Sequence, residues 1–157
     1  MTSNSKNKAI IFAALVGATS AFSAVHSHSS EIAELIESRQ ASLKEMGGAM
    51  KSIRRSIRGG EADNEELVSA ATLLMTKAKE LPDWFPAGSG PDSGLETDAL
   101  SYIWENEEKF TSAAELLITE TSTLSELAEA GDTTAMGKQL LQVKDACSNC
   151  HKSFRAD

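Results

Sequence analysis

The segment MGKQLLQVKDACSNCHKSF, Met136 to Phe154, decides how the chain folds. Met136, Leu140, Val143, Cys147, Cys150 and Phe154 recur at alternating steps of four and three, the period of one helical stripe. Gly131-Asp132 precedes the segment, so Asp132 or Thr133 caps the helix. The only two cysteines of the chain, Cys147 and Cys150, fall on the stripe, with His151 directly after them. Helical positions i, i+3 and i+4 point to one side, so both thiols and the imidazole face the same space.

Three further helices precede it. The first is expected from about Ser30 to Arg58, with Ile32, Ile36, Arg39, Leu43, Met46, Met50, Ile53 and Ile57 on its stripe and Gly59-Gly60 as its stop. The second is expected from about Asn64 to Glu80, with Leu67, Ala71, Leu74, Ala78 and Leu81 in line. Asp63 or Asn64 caps it and Pro82 ends it. The third is expected from about Thr97 to Ala130, along Leu100, Ile103, Phe110, Ala114, Leu117, Leu124 and Ala128. Glu107 and Thr121 fall on that same seam, and nothing in the sequence explains them. Between the second and third helices lies PDWFPAGSGPDSGL, residues 82–95, which holds all three prolines and the large aromatics Trp84 and Phe85. A loop of this length in a compact bundle is often functional, and the two aromatics are expected to be buried. Four amphipathic helices with two short links and one long one predict an all-α fold, an antiparallel four-helix bundle with a long loop between helices 2 and 3.

The first residues follow a different logic. Met1–Lys8 is polar and carries Lys6 and Lys8, Ala9–Gly17 is an unbroken apolar run, and small residues follow. That is the layout of a secretory signal peptide, expected over residues 1–23 with a cut near Ser23. The alternative is an uncleaved anchor, for which the apolar run is short. The remainder, 24–157, is expected to be one soluble domain exported to the periplasm, with no membrane attachment after cleavage. Cleavage takes the formal charge from −8 to −10, because only Lys6 and Lys8 are lost. Such an acidic surface argues against nucleic acid as a partner.

Cys147-Ser148-Asn149-Cys150-His151 has the C-x-x-C-H spacing of covalent haem attachment, in which two thiols reach two vinyl groups and the histidine reaches the iron. A redox disulfide is one alternative, but such a pair normally opens a helix in an α/β fold. Zinc is another, and it lacks a fourth ligand, since the other histidines are His26 and His28 near the cleavage region. The motif, the export signal and the all-helical pattern favour one covalently bound haem c.

With the motif at the carboxyl end of a four-helix bundle, the chain resembles the cytochrome c′ family. The matching features are Arg39-Gln40, the Gly47 to Met50 spacing, Leu81-Pro82 before an aromatic loop, Ile103-Trp104 with Phe110, and CSNCHKSFR at the end. The resemblance implies that Cys147 and Cys150 are the thioether attachment points and that His151 is the proximal iron ligand. It places Arg155 near that ligand, Arg39 and Gln40 beside the haem, and Leu43 over the iron's other face. Arg39 also stands out without it. A guanidinium on an apolar stripe needs an anion, such as a haem propionate, or must snorkel to water; beside a haem motif the propionate is favoured.

Leucine cannot ligate iron, so Leu43 implies a five-coordinate centre open to small gases. Met46, one turn away, is the main rival as a sixth ligand, although seam methionines are usually core filler. The expected function is electron transfer by a periplasmic monohaem cytochrome with an unknown redox partner protein. The alternative is sequestration or sensing of nitric oxide or carbon monoxide. No acid–base pair can be placed beside a pocket, so no enzyme activity is expected. Family members often form homodimers through the first two helices. Here Lys44, Glu45, Lys51, Arg54, Arg55, Glu65 and Glu66 make those outer faces mixed, which neither favours nor excludes a homodimer.

Overall fold

A computed structural model describes residues 20–59 and 63–156. The expected signal peptide lies outside the described residues as far as residue 19; Ser20–Ser23 open the first helix. The elements are α1 (Ser20–Gly59), α2 (Asn64–Glu80), a short α3 (Tyr102–Glu105), α4 (Glu107–Glu129) and α5 (Thr133–Phe154). The long helices α1, α2, α4 and α5 form the bundle. Each packs on the next, and α5 closes the ring against α1 through the lightest of the four seams.

The caps follow the side-chain chemistry. Asp63 accepts from the backbone N–H of Glu65 at 2.9 Å, and Asp132 accepts from that of Ala135 at 2.9 Å. Each satisfies a donor that an amino-terminal helical turn leaves unpaired. Between α4 and α5 the chain reverses through Gly131 at φ +70°, where a side chain would be strained. Gly131 N–H donates to Ala128 O and Asp132 N–H to Leu127 O, which closes the end of α4.

On α2 the buried residues are Leu67, Ala71, Leu74 and Ala78, the stripe read from the sequence. Each leucine contributes roughly 1.5–3 kcal/mol by leaving water. On α1 the seam differs from the expected one. Ile36, Arg39, Ser42, Met46, Ala49 and Ile53 are buried, whereas Leu43 is 36% exposed. The step from 39 to 46 runs through Ser42, because α1 turns its small residues Ser42 and Ala49 toward the neighbouring helices. Leu43 is left on the flank.

The expected third helix is also corrected. Residues 97–101 are not α-helical, α3 is one turn long, and Asn106 (φ −137°, ψ 54°) breaks the chain before α4. Two tertiary attachments draw this stretch out of the helix. Ala99 pairs with Arg155 in an isolated antiparallel bridge, and Trp104 Nε1 donates to Phe85 O at 3.0 Å and Pro86 O at 3.2 Å. The break explains Glu107, which is exposed at the start of α4. Thr121 is buried, and its hydroxyl donates to Leu117 O at 2.7 Å, so its polarity is met inside its own helix.

Candidate haem site

The carboxyl end of α5 carries the thiols and the imidazole. Cys147 and Cys150 are half-buried and pack against the core, and His151 is the most open of the three. Neither cysteine is in a disulfide. Burial pushes the Cys147 thiol up, opposed by a backbone hydrogen bond. The Cys150 thiol is pushed up to about 11, by burial first and then by the charge of Cys147. This is the reverse of an activated redox pair, whose thiol is held low at a helix amino terminus. The His151 imidazole is held below its ordinary value, by burial first and then by the charge of Arg155. It is therefore neutral near pH 7, the form that binds iron. Among the described residues no group of three histidine, cysteine, aspartate or glutamate side chains is placed to hold a bare metal ion.

Aromatic packing fixes this helix end. Phe154, three residues after His151, meets Phe110 edge-on at 5.4 Å and stacks on Tyr102 at 5.7 Å. Phe110 in turn meets Phe85 of the long loop at 5.1 Å. The backbone N–H of Arg155 donates to His151 O at 3.1 Å, and the Arg155 side chain is exposed.

On α1, Arg39 is 3% exposed, so it does not snorkel to water. Its Nη1 donates to Ser89 Oγ at 2.9 Å and Trp84 O at 3.4 Å; its Nη2 donates to Ser89 O at 2.8 Å and Thr97 Oγ1 at 2.6 Å. The guanidinium also lies over the Phe85 ring, 4.8 Å from its centre. Burial lowers its pKa, yet a guanidinium stays charged. Gln40 is exposed, and its Nε2 donates to Glu96 O at 3.4 Å. Both residues thus hold the loop between α2 and α3 against α1. Sequence reasoning asked only for an anion or water around Arg39; neutral oxygens 45 to 58 residues away are a third solution that no local pattern announces. Ser89, Thr97 and the Trp104 clamp were missed for the same reason.

Met46 lies within the hydrophobic core at 6% exposure, and Met136 is fully buried. Among the residues of α1 whose burial is described, Leu43 is the large apolar side chain left exposed.

Two thiols and a neutral imidazole on one face of a helix end are the donor set that a covalently attached porphyrin needs. The comparisons with known proteins agree. Residues 34–155 match the family described as Cytochrome C'. The chain is 31% identical over 121 residues to the cytochrome c′ of Pararhodospirillum photometricum, covering 76% of this chain and 94% of that one. It is 36% identical over 124 residues to a cytochrome c-556 of Agrobacterium tumefaciens (strain II Chrys), covering 76% and 95%. The crystal structure of cytochrome c′ from Thermochromatium tepidum matches with a TM-score of 0.72 at 27% identity, over 79% of this chain and 95% of that chain. Fold and relatives together define a c-type haem protein built on a helical bundle. The chain belongs to the cytochrome c′ family, and its cofactor is covalently attached haem c with its iron.

Proposed function

We propose that the chain is a periplasmic monohaem cytochrome that carries one electron, with residues 1–23 as the export signal and 24–157 as the haem-binding unit. Cys147 and Cys150 are the thioether attachment points and His151 is the only protein ligand of the iron. The observation that carries this reading is the single face of α5 shared by two free cysteines and His151, at helical positions i, i+3 and i+4. When bound, the haem supplies one-electron chemistry and a coordination position for a small ligand. His151 offers its lone pair, and burial first, then the positive charge of Arg155, disfavour protonation of the ring. Arg39 and Gln40 anchor the 82–97 loop, and with its Nη donors engaged by loop oxygens Arg39 would act on a haem propionate through its charge. The acidic surface selects a partner protein with a basic face, since complementary charge speeds encounter. No helix among the described residues is long and apolar enough to cross a membrane, which is consistent with a protein that works in the periplasmic space.

Leu43 favours a second reading, binding of nitric oxide or carbon monoxide. A leucine on the flank of α1 provides no ligand, while Met46 is held among core residues and is unavailable without unpacking them. A side chain of that bulk also screens ligands by size. Optical spectra of the oxidised and reduced protein, with and without carbon monoxide, test both. A high-spin reduced spectrum that shifts with the gas is expected. A low-spin spectrum indifferent to the gas would make the protein a six-coordinate electron carrier with a methionine ligand.

A further inference from the structure

Thr97 stands where three connections meet. Its Oγ1 accepts from Arg39 Nη2 at 2.6 Å, which joins the loop to α1. The same oxygen accepts from the backbone N–H of Ala99 at 3.2 Å, a hydroxyl-closed turn two residues on. Ala99 then forms the antiparallel bridge with Arg155. Leu100 N–H donates to Phe154 O at 3.0 Å and Ala156 N–H donates to Asp98 O at 2.8 Å, one on each side of the bridge. Arg155 N–H donates to His151 O, so the paired segment continues directly into the last turn of α5.

A helix end fades into local opening unless something outside the helix holds it. Here the holding element is a three-residue pairing whose own direction depends on the turn at Thr97. We propose that Thr97 is a positioning residue for His151. Its hydroxyl couples the Arg39 fork on α1 to the pairing of residues 98–100 with 154–156, and so sets the orientation of the imidazole at the end of α5. This rests on the reading of His151 as the iron ligand. α1 and the terminal turn of α5 are thereby linked through protein: Arg39 and the Ala99 N–H share one oxygen atom, and Ala99 pairs with Arg155 at the end of α5.

Thr97→Val keeps the shape and removes the oxygen; Thr97→Ser keeps the oxygen and removes only a methyl group. The holoprotein is compared in both forms by amide hydrogen exchange and by the iron–histidine stretching band of the reduced state. In Thr97→Val the amides of Leu100 and Ala156 are expected to exchange roughly tenfold faster, the scale of one lost hydrogen bond. The stretching band is expected to shift, and Thr97→Ser is expected to restore both. Ser89→Ala removes a different acceptor of Arg39 and leaves the bridge alone, so both readouts should stay at their parent values. It also separates the effect from general loosening of the loop. Should Thr97→Val fail to fold, Thr97→Ser set against Thr97→Ala supplies the same contrast. Unchanged exchange at Leu100 and Ala156 would overturn the proposal, as would faster exchange with an unmoved band. Absence of any iron–histidine band in the parent protein would instead overturn the five-coordinate reading, an outcome the exchange data cannot produce.

Discussion

Arg39 holds Ser89 at two points, Nη1 to the hydroxyl at 2.9 Å and Nη2 to the backbone carbonyl at 2.8 Å, across 50 residues of chain. The planar fork of arginine spans both oxygens, and a point-like ammonium does not. Ser89 is itself fully buried, and its hydroxyl donates onward to Pro86 O at 2.8 Å. Replacing Arg39 by methionine leaves these oxygens without their donor in a dry place, and should cost about 1–3 kcal/mol. Arg39→Lys should recover little of that loss. A urea denaturation series compares the three proteins, and equal midpoints would mean that the fork does not hold the loop.

Gly90 owes its identity to Trp104. A Cβ built at Gly90 would stand 2.5 Å from Cζ3 and 2.9 Å from Cη2 of that indole, whose ring cannot bend away while its Nε1–H is bonded to Phe85 O and Pro86 O. Gly90→Ala is expected to destabilise the fold by about 1–3 kcal/mol, the cost of overpacking. Thermal unfolding of the variant should show a lower midpoint, together with a change in tryptophan fluorescence.

Cys147→Ala with Cys150→Ala should abolish covalent haem retention. The assay is extraction in acidified organic solvent: the parent protein stays red, and the double variant releases its colour. Retention by the double variant would dismiss the assignment of the two thiols.

Leu43→Met should drive the iron toward a six-coordinate, low-spin state, because a thioether then stands on the flank of α1 where an unligating leucine was. The optical spectrum reads this directly. A spectrum unchanged by the substitution would place Leu43 away from the iron.

Thiol reactivity carries a pH signature. With its thiol raised to about 11, Cys150 is almost wholly protonated at pH 7 in the haem-free chain, and only the thiolate reacts. Alkylation should therefore be slow at neutral pH and accelerate as pH rises toward 11. Fast labelling near pH 7 would indicate an activated thiol and revive the redox-pair reading.

Much of this protein is written in short-range pattern. The stripe Leu67, Ala71, Leu74 and Ala78 on α2, the Asp63 and Asp132 caps and the C-x-x-C-H face of α5 all depend on neighbours within a turn or two. Helical geometry alone brings such residues together, so the sequence by itself determined the helices that make the bundle and the chemistry at its end. Tertiary structure decided the rest. Which residue of α1 faces the core, Ser42 or Leu43, depends on how closely other helices approach, and periodicity cannot distinguish adjacent positions on a wide apolar stripe. The break at Asn106 exists because the Ala99–Arg155 bridge and the Trp104 clamp outweigh a helical propensity worth only tenths of a kcal/mol per residue. Arg39 found four oxygens from three distant loop residues, and that solution came into being only when the loop folded back on α1. A buried charge states in the sequence that it needs partners; only the folded chain determines which.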